Sequence, residues 1–511
     1  MSALIFRYTF PVLISLIIGF ALSMTAQNNQ NLGIFDNTLD IGDVKHEGNA
    51  SYNAQTGEYT LTGSGENMWS DNDEFRYLWT TVQGDFILRA EVKFLGDGVD
   101  PHRKIGWTVR NTLTANSAMV NAAVHGDGLT SLQYRQSEGA ETLESTSSDS
   151  LPNIVELSRV DGTYIMKTAK KGEPFTTVEV ADVELNNQVF AGIYVSAHNE
   201  DVVETAVFKN VRITKPAPSD LVQYQQYLGS RLEVLDIETG TQKVLHTSER
   251  SIQAPNWTVD DERLIFNSNG YLYNYWLDDG KITHLNTGFA TNNNNDHVLS
   301  FDGTMLAISH HNEADNGNST IYTLPVEGSD NPKQVTQSGV GASYLHGISP
   351  DNQTVIFTGN RNGQYDIYAS DVNTMEETQL TDTPHLDDGS EYSPDGEYIY
   401  FNSNRTGTMQ IWRMDADGSN QTQLTFDENF NDWFPHISPD GEKMVFISYG
   451  TDVASGDHPF YKNVTLRMMP VDGGEPEIIA YLYGGQGTIN VPSWSPDSKK
   501  IAFVSNTGRF Y

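Results

Sequence analysis

The sequence has no cysteine and few basic side chains. Without a thiol the chain can form no disulfide, no thiolate metal site and no acylated cysteine anchor. Lys and Arg together number 31 against 67 Asp and Glu, which gives a formal net charge of −36 over 511 residues. Such an acidic surface repels phosphate backbones, so we expect no nucleic acid among the partners.

Long apolar runs are also missing beyond the first residues of the chain. Arg7 precedes a largely apolar run at residues 10–22, and small and then polar residues follow it. A run this short, between a basic residue and small residues, is typical of a cleaved signal peptide. We therefore predict a signal peptide at residues 1–26 and a soluble mature protein, without a membrane span, in the periplasm or outside the cell.

Helix-forming runs are absent as well, while Asn, Gly, Thr, Ser and Tyr are abundant. This composition favours short strands and many turns, and a chain of this length favours two domains. The proline-containing segment 215–220 is typical of a linker. It divides the chain into a first half, residues 31–214, and a second half, residues 221–511.

The first half shows the alternation of apolar and polar residues that predicts strands. Examples are Phe86–Val92, Ala191–Ser196 and Thr205–Val211. No helix-period segment interrupts them, so a β-sandwich is the simplest interpretation.

The order of several short segments in this half carries a resemblance. Gly63–Trp69 precedes Asp73–Phe75, Lys104–Arg110 follows, and the half closes near Gly192–His198. In this order the half resembles the concanavalin-like jelly-roll modules that are often attached to secreted carbohydrate-active proteins. The resemblance implies a jelly roll with a supporting role in binding or spacing.

The second half contains a repeated turn motif whose copies start 42 to 57 residues apart. In its Pro-Asp-Gly form the motif favours a tight turn, because Pro fixes φ, Asp accepts local backbone donors and Gly tolerates a positive φ. Four strands in about 45 residues is the spacing of a β-propeller blade. The six copies are Thr258–Asp261, Ser300–Gly303, Ser349–Asn352, Ser393–Gly396, Ser438–Gly441 and Ser495–Ser498.

Only about a dozen residues follow the last motif, which is too few for a full blade. We expect the strands around Arg231–Asp236 and Gln242–Leu245 to complete that blade and to close the ring, so that no sheet edge stays open. The predicted fold is therefore all-β, with an N-terminal sandwich followed by a six-bladed propeller over residues 221–511.

The repeats, such as Ser393-Pro394-Asp395-Gly396 and the apolar strand after it, resemble those of the TolB family of periplasmic propellers. The resemblance covers the whole second half. It implies a propeller that contacts other envelope proteins. The first half departs from that family, whose N-terminal domain is mixed α/β.

Residues just before each motif are expected on the innermost strand, near one mouth of the central channel. Three blades carry Pro at the third position before the motif, whereas two carry His297 and His346 there. One position later lie Glu391 and His436 in two other blades. Imidazoles and carboxylates at equivalent depths predict a divalent-ion site, with Mn²⁺, Zn²⁺ or Ca²⁺ held by these four side chains. A polar, water-filled channel is the alternative.

These features suggest a glycan fragment or oligosaccharide as the ligand and place its site at the channel mouth. Predicted substrate-binding residues are Asn256, Asp387, Asp388 and Trp433. Oligogalacturonate lyases are also propellers with a histidine-bound metal. A resemblance to them implies a base that removes a proton beside the uronate carboxylate and a cation that stabilises the resulting enolate. His346 or His436 would be the base, with a metal or Arg361 as the stabiliser. Arg361 also fits a role in tying blades together.

Whether the protein is an enzyme stays open at this point. If it is one, we expect a polysaccharide lyase or a glycoside hydrolase that takes part in polysaccharide use. The alternative function is a non-catalytic, TolB-like interaction scaffold of the cell envelope, with an envelope protein as its partner.

Overall fold

A computed structural model describes residues 31–509 of the chain. The predicted signal peptide lies outside these residues. The described part is almost entirely β-strand and turn, with a 3-10 helix at Glu313–Asp315. Among the described residues, no helix is long and apolar enough to cross a membrane.

The N-terminal part of the described chain contains sixteen strands, up to Thr214. They are β1 (Asn37–Ile41), β2 (Asn49–Asn53), β3 (Glu58–Gly63), β4 (Met68–Trp69), β5 (Asn72–Asp73), β6 (Phe75–Gln83), β7 (Phe86–Leu95), β8 (Lys104–Arg110), β9 (Met119–His125), β10 (Thr130–Arg135), β11 (Leu143–Thr146), β12 (Ile154–Val160), β13 (Thr163–Ala169), β14 (Thr176–Val180), β15 (Gln188–Ser196) and β16 (Glu204–Thr214).

These strands form two seven-stranded sheets and a short ribbon made by β4 and β5. One sheet has the order β1-β6-β15-β8-β9-β10-β11, and the other has the order β14-β13-β12-β7-β16-β3-β2. Leu78 and Ile193 from the first sheet share one fully buried cluster with Leu88 and Leu157 from the second. The two sheets therefore pack face to face as a sandwich, as the alternating pattern predicts.

The remaining strands, from Gly229 onward, build the propeller. They are β17 (Gly229–Asp236), β18 (Gln242–Ser248), β19 (Gln253–Trp257), β20 (Arg263–Ser268), β21 (Tyr271–Trp276), β22 (Ile282–Leu285), β23 (Asn293–Leu299), β24 (Met305–Asn312), β25 (Asn318–Pro325), β26 (Lys333–Gln334), β27 (Ser343–Ile348), β28 (Thr354–Arg361), β29 (Gln364–Asp371), β30 (Glu377–Gln379), β31 (Asp387–Tyr392), β32 (Tyr398–Ser403), β33 (Gln410–Asp415), β34 (Thr422–Gln423), β35 (Phe430–Ile437), β36 (Lys443–Gly450), β37 (Lys462–Pro470), β38 (Glu477–Gly484) and β39 (Lys500–Thr507).

The strands of the propeller form six blades, which confirms the predicted fold. In the described chain, five blades are four-stranded sheets in sequence order, from β19-β20-β21-β22 to β35-β36-β37-β38. The sixth has the order β18-β17-β39, and Trp494 bridges to Ile501 on its inner side. β17 pairs with β39 from Gly229 opposite Thr507 to Asp236 opposite Lys500. The strands that follow the proline-containing segment thus complete the last blade, as expected from the motif count.

Each turn motif is held by a small network of hydrogen bonds between its side chains and the nearby backbone. In all six copies the Ser or Thr hydroxyl donates to the Asp two positions later, at distances between 2.5 and 2.7 Å. In the second copy, Asp302 then accepts from the Thr304 backbone N–H at 3.0 Å, and Ser300 accepts from the Met305 N–H at 2.9 Å. This hydrogen-bond network lies between the innermost strand of a blade and the strand that follows it. A turn is needed at this place once in each blade, which explains why the motif recurs once per blade.

Buried contacts hold the sandwich against the propeller. Arg89 donates to the Tyr481 carbonyl at 2.6 Å, and the Tyr481 hydroxyl donates to the Glu173 carbonyl at 2.6 Å. The proline-containing segment is fixed too, because the Lys215 N–H donates to Thr507 Oγ1 and the Ala217 N–H to the Tyr483 hydroxyl, both at 2.9 Å. The two halves therefore share an extensive polar interface.

Candidate functional site

Two cavities open at opposite ends of the innermost strands. The larger, about 980 Å³, touches β23 at its first residues, Asn293–Asp296, and we call it the wide pocket. The smaller, about 240 Å³, touches the end of the same strand at Val298 and Leu299, and we call it the narrow pocket. The innermost strands thus run from one cavity to the other, and a side chain's position along its strand decides which cavity it reaches.

The lining of the wide pocket is dominated by side-chain amides and aromatic rings. Of the described residues that line it, none is Lys or Arg. The amides are Gln253, Asn267, Asn269, Asn292, Asn293, Asn294, Asn295, Gln364, Gln486 and Asn490, and the rings include Tyr224, Tyr227, Tyr344, Tyr365, Phe434 and Phe460. An amide offers both donors and an acceptor, as a hydroxyl group does, and a ring offers an apolar face. This lining suits a neutral, hydroxyl-rich ligand.

Several polar atoms of this lining have no partner within the described residues. Asn293 Oδ1, Asn295 Nδ2 and His458 Nδ1 are buried and make no hydrogen bond there. Buried polar atoms are normally paired, because an unpaired one costs about 1–3 kcal/mol. These three atoms are inaccessible to solvent, so a ligand could pair with them only after the lining side chains shift.

Asp388 is the most heavily bonded group in the wide pocket. Its Oδ1 accepts from Thr358 Oγ1 at 2.5 Å and from the Gly389 N–H at 2.8 Å, and it lies 3.0 Å from His346 Nε2. Its Oδ2 lies 3.9 Å from His458 Nε2. Burial alone would raise the pKa of Asp388, but His346 outweighs burial and holds it at about 2. Asp388 is therefore a carboxylate throughout the physiological range.

His346 responds to the same contact in the opposite direction. Burial lowers its pKa, but the hydrogen bond and charge of Asp388, with smaller contributions from Asp296 and Glu391, raise it overall. The ring also stacks on Phe434, with centroids 5.7 Å apart. His346 is thus held in one orientation and favours its charged form.

Asp296 lies in the same pocket with the opposite protonation preference to Asp388. Burial raises its pKa to about 7, the negative charge of Asp388 adds to the rise, and His346 opposes it. One carboxyl group is thus protonated near neutral pH while its neighbour is ionised. Such a pair can supply a general acid and a general base.

A shift in the pairing register of the innermost strands determines which way these side chains point. In every four-stranded blade the innermost strand carries a β-bulge against its neighbour at the same level, and such bulges re-aim side chains next to functional sites. Gly389, at φ +63°, is part of one bulge, and a Cβ there would lie 2.2 Å from Asn402 Oδ1. Ala254 and Phe434 adopt left-handed φ values in two others. The shifts fall at Gln253/Asn256, Asn293/His297, Leu345/Gly347, Asp388/Glu391 and Trp433/His436.

Glu391 and His436, both predicted as metal ligands, contact each other. His436 Nδ1 lies 2.6 Å from Glu391 Oε2, and its Nε2 lies 2.7 Å from the Ile489 carbonyl. Glu391 Oε1 accepts from the Ile437 N–H at 2.9 Å. Both ring nitrogens thus face oxygens, and the pair ties neighbouring blades together. An ion bound here would have to displace these bonds.

His297, the remaining predicted ligand, is fully buried inside its blade. Its Nε2 donates to the Ile265 carbonyl at 3.2 Å, and burial lowers its pKa to about 4. In the part of the chain that the structure describes, a group of three metal-ligating side chains does occur, but in the sandwich: ligand atoms of His102, His125 and Asp127 lie within 4.8 Å of one another. The ion at the channel stays a prediction.

The predicted enolate stabiliser lies in an ion pair. Arg361 Nη2 donates to Glu377 Oε1 at 3.0 Å, and its Nη1 donates to the Ala342 carbonyl at 2.9 Å. The guanidinium also lies over the rings of Phe357 and Tyr368. These partners all belong to the blade β27-β28-β29-β30, so Arg361 ties strands within one blade rather than neighbouring blades, and it does not line the wide pocket.

Of the predicted substrate-binding residues, only Asp388 lines the wide pocket. Asn256 lines the narrow pocket, where it bonds the Pro492 carbonyl and accepts from the Leu299 N–H at 3.1 Å. Asp387 pairs with Arg405 at 2.8 Å, and Trp433 is fully buried in a hydrophobic cluster. Their roles in binding stay predictions.

Sequence reasoning missed several lining residues of the wide pocket. His458 and Phe460 lie in the long connection between β36 and β37, and Tyr224 and Tyr227 precede β17. The spacing of 57 residues between the last two motifs, against about 45 elsewhere, was the visible signal of this long connection. The run Asn292–Asn295 was interpreted only as a polar loop.

Fold and channel define a six-bladed β-propeller with a polar pocket at one mouth. A family model described as TolB beta propeller domain matches residues 315–458. An uncharacterized protein of Agrobacterium fabrum is 44% identical over 276 residues, which cover 54% of this chain and 92% of that protein. The solved structure of "putative TolB" from Agrobacterium tumefaciens is 43% identical with a TM-score of 0.52, and the match covers 55% of this chain and 99% of that one. The chain therefore belongs to the TolB-like β-propeller family.

Part of this chain is also similar to a more distant solved structure. TolB from Acinetobacter baumannii is 20% identical with a TM-score of 0.39, and the match covers 50% of this chain and 64% of that chain.

Proposed function

We propose that the wide pocket binds a neutral oligosaccharide, and that the protein acts in glycan use in the periplasm or outside the cell. The observation that supports this most directly is the lining of the pocket, which consists largely of side-chain amides and aromatic rings and has no Lys or Arg among its described residues. The predicted signal peptide supports the location.

The charge of the pocket narrows the class of glycan. Asp388 is ionised and already paired with His346, and no described Lys or Arg lines the pocket to offset the charge of an anionic ligand. A uronate carboxylate would therefore be repelled unless a metal ion accompanied it. This favours neutral sugars over polyuronates, and hydrolysis over elimination, because elimination requires a uronate and an enolate stabiliser.

Asp296 and Asp388 give the pocket the groups that hydrolysis needs. Asp296 would pass its proton to the leaving glycosidic oxygen, while Asp388 takes a proton from the attacking water. His346, which the sequence suggested as a base, would instead position Asp388 through its 3.0 Å contact. Cleavage is the finer part of the proposal and depends on binding.

Binding can be tested by isothermal titration of the mature protein with neutral and acidic oligosaccharides of several linkages. We expect neutral sugars to bind, and Tyr365→Ala at the pocket rim to weaken binding about tenfold through loss of ring stacking. Phe426→Ala is the matched control, because Phe426 is an exposed ring outside the pocket. Binding of polyuronates alone, or equal effects of the two variants, would contradict the proposal.

Cleavage needs a separate measurement on a sugar that binds. We expect Asp296→Asn to keep the affinity within a few-fold and to abolish product formation, because the amide cannot donate an acidic proton. If the wild-type protein binds the sugar and releases no product, the protein is a binding protein only.

A protein ligand is the second candidate. Tyr224 and Tyr227 are 56% and 43% exposed beside the pocket, and Val222 near them is 47% exposed. Exposed tyrosines are typical of protein contacts, and envelope partners fit the family. Val222→Asp should then reduce capture of an envelope protein without changing oligosaccharide affinity, because Val222 does not line the wide pocket.

A further inference from the structure

A cluster of imidazoles and carboxylates lies at one edge of the sandwich, away from the propeller cavities. Its members come from three separate segments: the loop before β8 carries Asp100 and His102, β9 ends at His125 with Asp127 two residues later, and the turn after β15 carries His198. The His102 ring centroid lies 5.9 Å from that of His125 and 5.4 Å from that of His198. The fold therefore brings together three rings that are far apart in sequence.

The separations in this cluster suit an ion better than hydrogen bonds. His102 Nδ1 lies 3.6 Å from Asp127 Oδ2, and His198 Nδ1 lies 4.0 Å from Asp100 Oδ1. Both distances are too long for a good hydrogen bond. Two ligands of a tetrahedral zinc ion lie roughly 3.4 Å apart, given bonds of about 2.1 Å. The ligand atoms of His102, His125 and Asp127, all within 4.8 Å of one another, need only small shifts to reach that spacing.

His125 carries the independent evidence for a ligand. The residue is 3% exposed, and its Nδ1 is buried with no hydrogen-bond partner in the described part of the chain. Its Nε2 lies 3.3 Å from the Gln133 side-chain amide, so Nδ1 is the nitrogen left for an ion. An unpaired buried nitrogen is costly, and coordination would satisfy it.

Two buried side-chain amides form a hydrogen-bonded chain that ends at the ring of His125. Gln133 is bonded to Asn121 at 3.1 Å, and both side chains are fully buried. Exchanging the oxygen and nitrogen positions of the two amides keeps both contacts and lets His125 Nε2–H donate to Gln133. A ring nitrogen that donates to a fixed acceptor is the usual support of a metal-bound histidine.

The charges around the cluster favour a cation. Asp100 and Asp127 are its carboxylates, while the guanidinium of Arg103 is held by Glu204 at 2.6 Å. Lys104 is the other nearby cation, and its ammonium group donates to Asn67 Oδ1 at 2.5 Å. A divalent ion would therefore be met by two carboxylates, while both nearby cations are bonded to other groups.

We infer that His102, His125 and Asp127 form a transition-metal site that takes Zn²⁺, with His198 as the nearest additional ligand. Imidazole nitrogen with one carboxylate suits Zn²⁺, whereas Ca²⁺ and Mg²⁺ prefer all-oxygen sites. The ion ties the loop before β8 to the end of β9. The side chain of His102 is half exposed, which leaves one side of the ion open to solvent.

The test uses the full mature chain, stripped with a chelator and titrated with Zn²⁺, Ni²⁺ and Ca²⁺ by calorimetry, with metal content measured by mass spectrometry. We expect one zinc per chain, no calcium binding, and a Co²⁺ absorption spectrum of a tetrahedral site. His102→Ala and Asp127→Asn should each weaken zinc binding about a hundredfold or more. The side chains of His102 and Asp127 are 50% and 36% exposed, so these variants are expected to keep the fold even if a His125 variant does not.

Two further variants decide between this site and the channel. His284→Ala changes an exposed histidine on the propeller and should leave zinc affinity unchanged. His346→Gln should also leave it unchanged. If the stripped protein binds no zinc, or His102→Ala binds it as tightly as the wild type, the inference is wrong. Loss of zinc in His346→Gln alone would move the metal to the channel and overturn it as well.

Discussion

The sandwich and the propeller bury their charges with different cations. In the sandwich, Asp73 lies between Arg110 and Arg135, at 2.6 and 2.9 Å, and all three side chains are fully buried. At the propeller channel, the buried carboxylates Asp388 and Glu391 are partnered by histidines instead.

The difference has a direct physical meaning. A guanidinium keeps its charge at every accessible pH, whereas an imidazole changes its charge between pH 5 and 8. The charges of the Asp73 cluster are therefore fixed, and those at the channel respond to their surroundings. We expect pH sensitivity to be greater at the channel than at the Asp73 cluster.

The largest effect should come from removing the carboxylate between the two buried arginines. Asp73→Ala leaves two guanidiniums without a counter-charge, and it should lower the free energy of unfolding of the sandwich by about 4 kcal/mol. Urea unfolding at pH 7 measures this. Asp201→Asn, which removes the exposed partner of Lys45, is the control and should have a far smaller effect, because water screens an exposed ion pair. Similar losses in both variants would break the comparison.

Acid should destabilise the propeller before the sandwich. The pKa of the motif aspartates is lowered in all six copies, in Asp302 to about 2 through the Ser300 hydrogen bond. A lowered pKa gives stability that is present above the unfolded value of about 3.9 and is lost as pH falls through the folded value. Hydrogen exchange at pH 6 and pH 3 should show protection lost first around the motifs. Earlier loss in β6 or β7 would contradict this.

His346 should give a smaller effect with the opposite pH dependence. Its pKa is raised in the folded state, so its contribution is complete below the unfolded value of about 6.5 and disappears as pH rises through the folded value. His346→Gln should therefore cost about 2 kcal/mol at pH 6 and less at pH 9. The loss in Asp73→Ala should be equal at the two pH values, because arginine does not titrate there. Equal losses for His346→Gln would contradict the distinction.

The smallest effect should come from a single motif. Asp395→Asn keeps the shape of the turn and an acceptor for the Ser393 hydroxyl, so it should cost under about 1 kcal/mol at pH 7. Since it removes one of six acid-sensitive groups, it should also reduce the slope of stability between pH 4 and pH 2. A full loss of folding in this variant would mean that the motif is more than a local turn.

The fold could be predicted because its signals are local. The Ser and Asp side chains of a motif bond to each other and to backbone N–H groups within five residues, so each copy indicates its own turn. The role of β17 and β18 in closing the ring could also be predicted from the number of motifs. Too few residues follow the sixth motif to form a full blade, so its remaining strands had to come from the start of the propeller.

The site could be predicted only in part, because its geometry depends on distant segments. Glu391 and His436 were expected near each other and are in contact, and His346 and Asp388 were both identified, though in separate roles. The β-bulges that decide which cavity a side chain reaches have no residue signature. The metal-ligating group in the sandwich was missed because its histidines lie in unrelated loops rather than in a spaced motif.

The pairing of β17 with β39 also has a consequence for biogenesis. β17 is made first among the propeller strands and β39 last, so the ring cannot close until nearly the whole propeller has been synthesised. Until then the partly assembled ring presents an unpaired strand edge at each end, and its slowest contact is the one of greatest sequence separation. During that interval the two open edges are the places where one copy of the chain could pair with another.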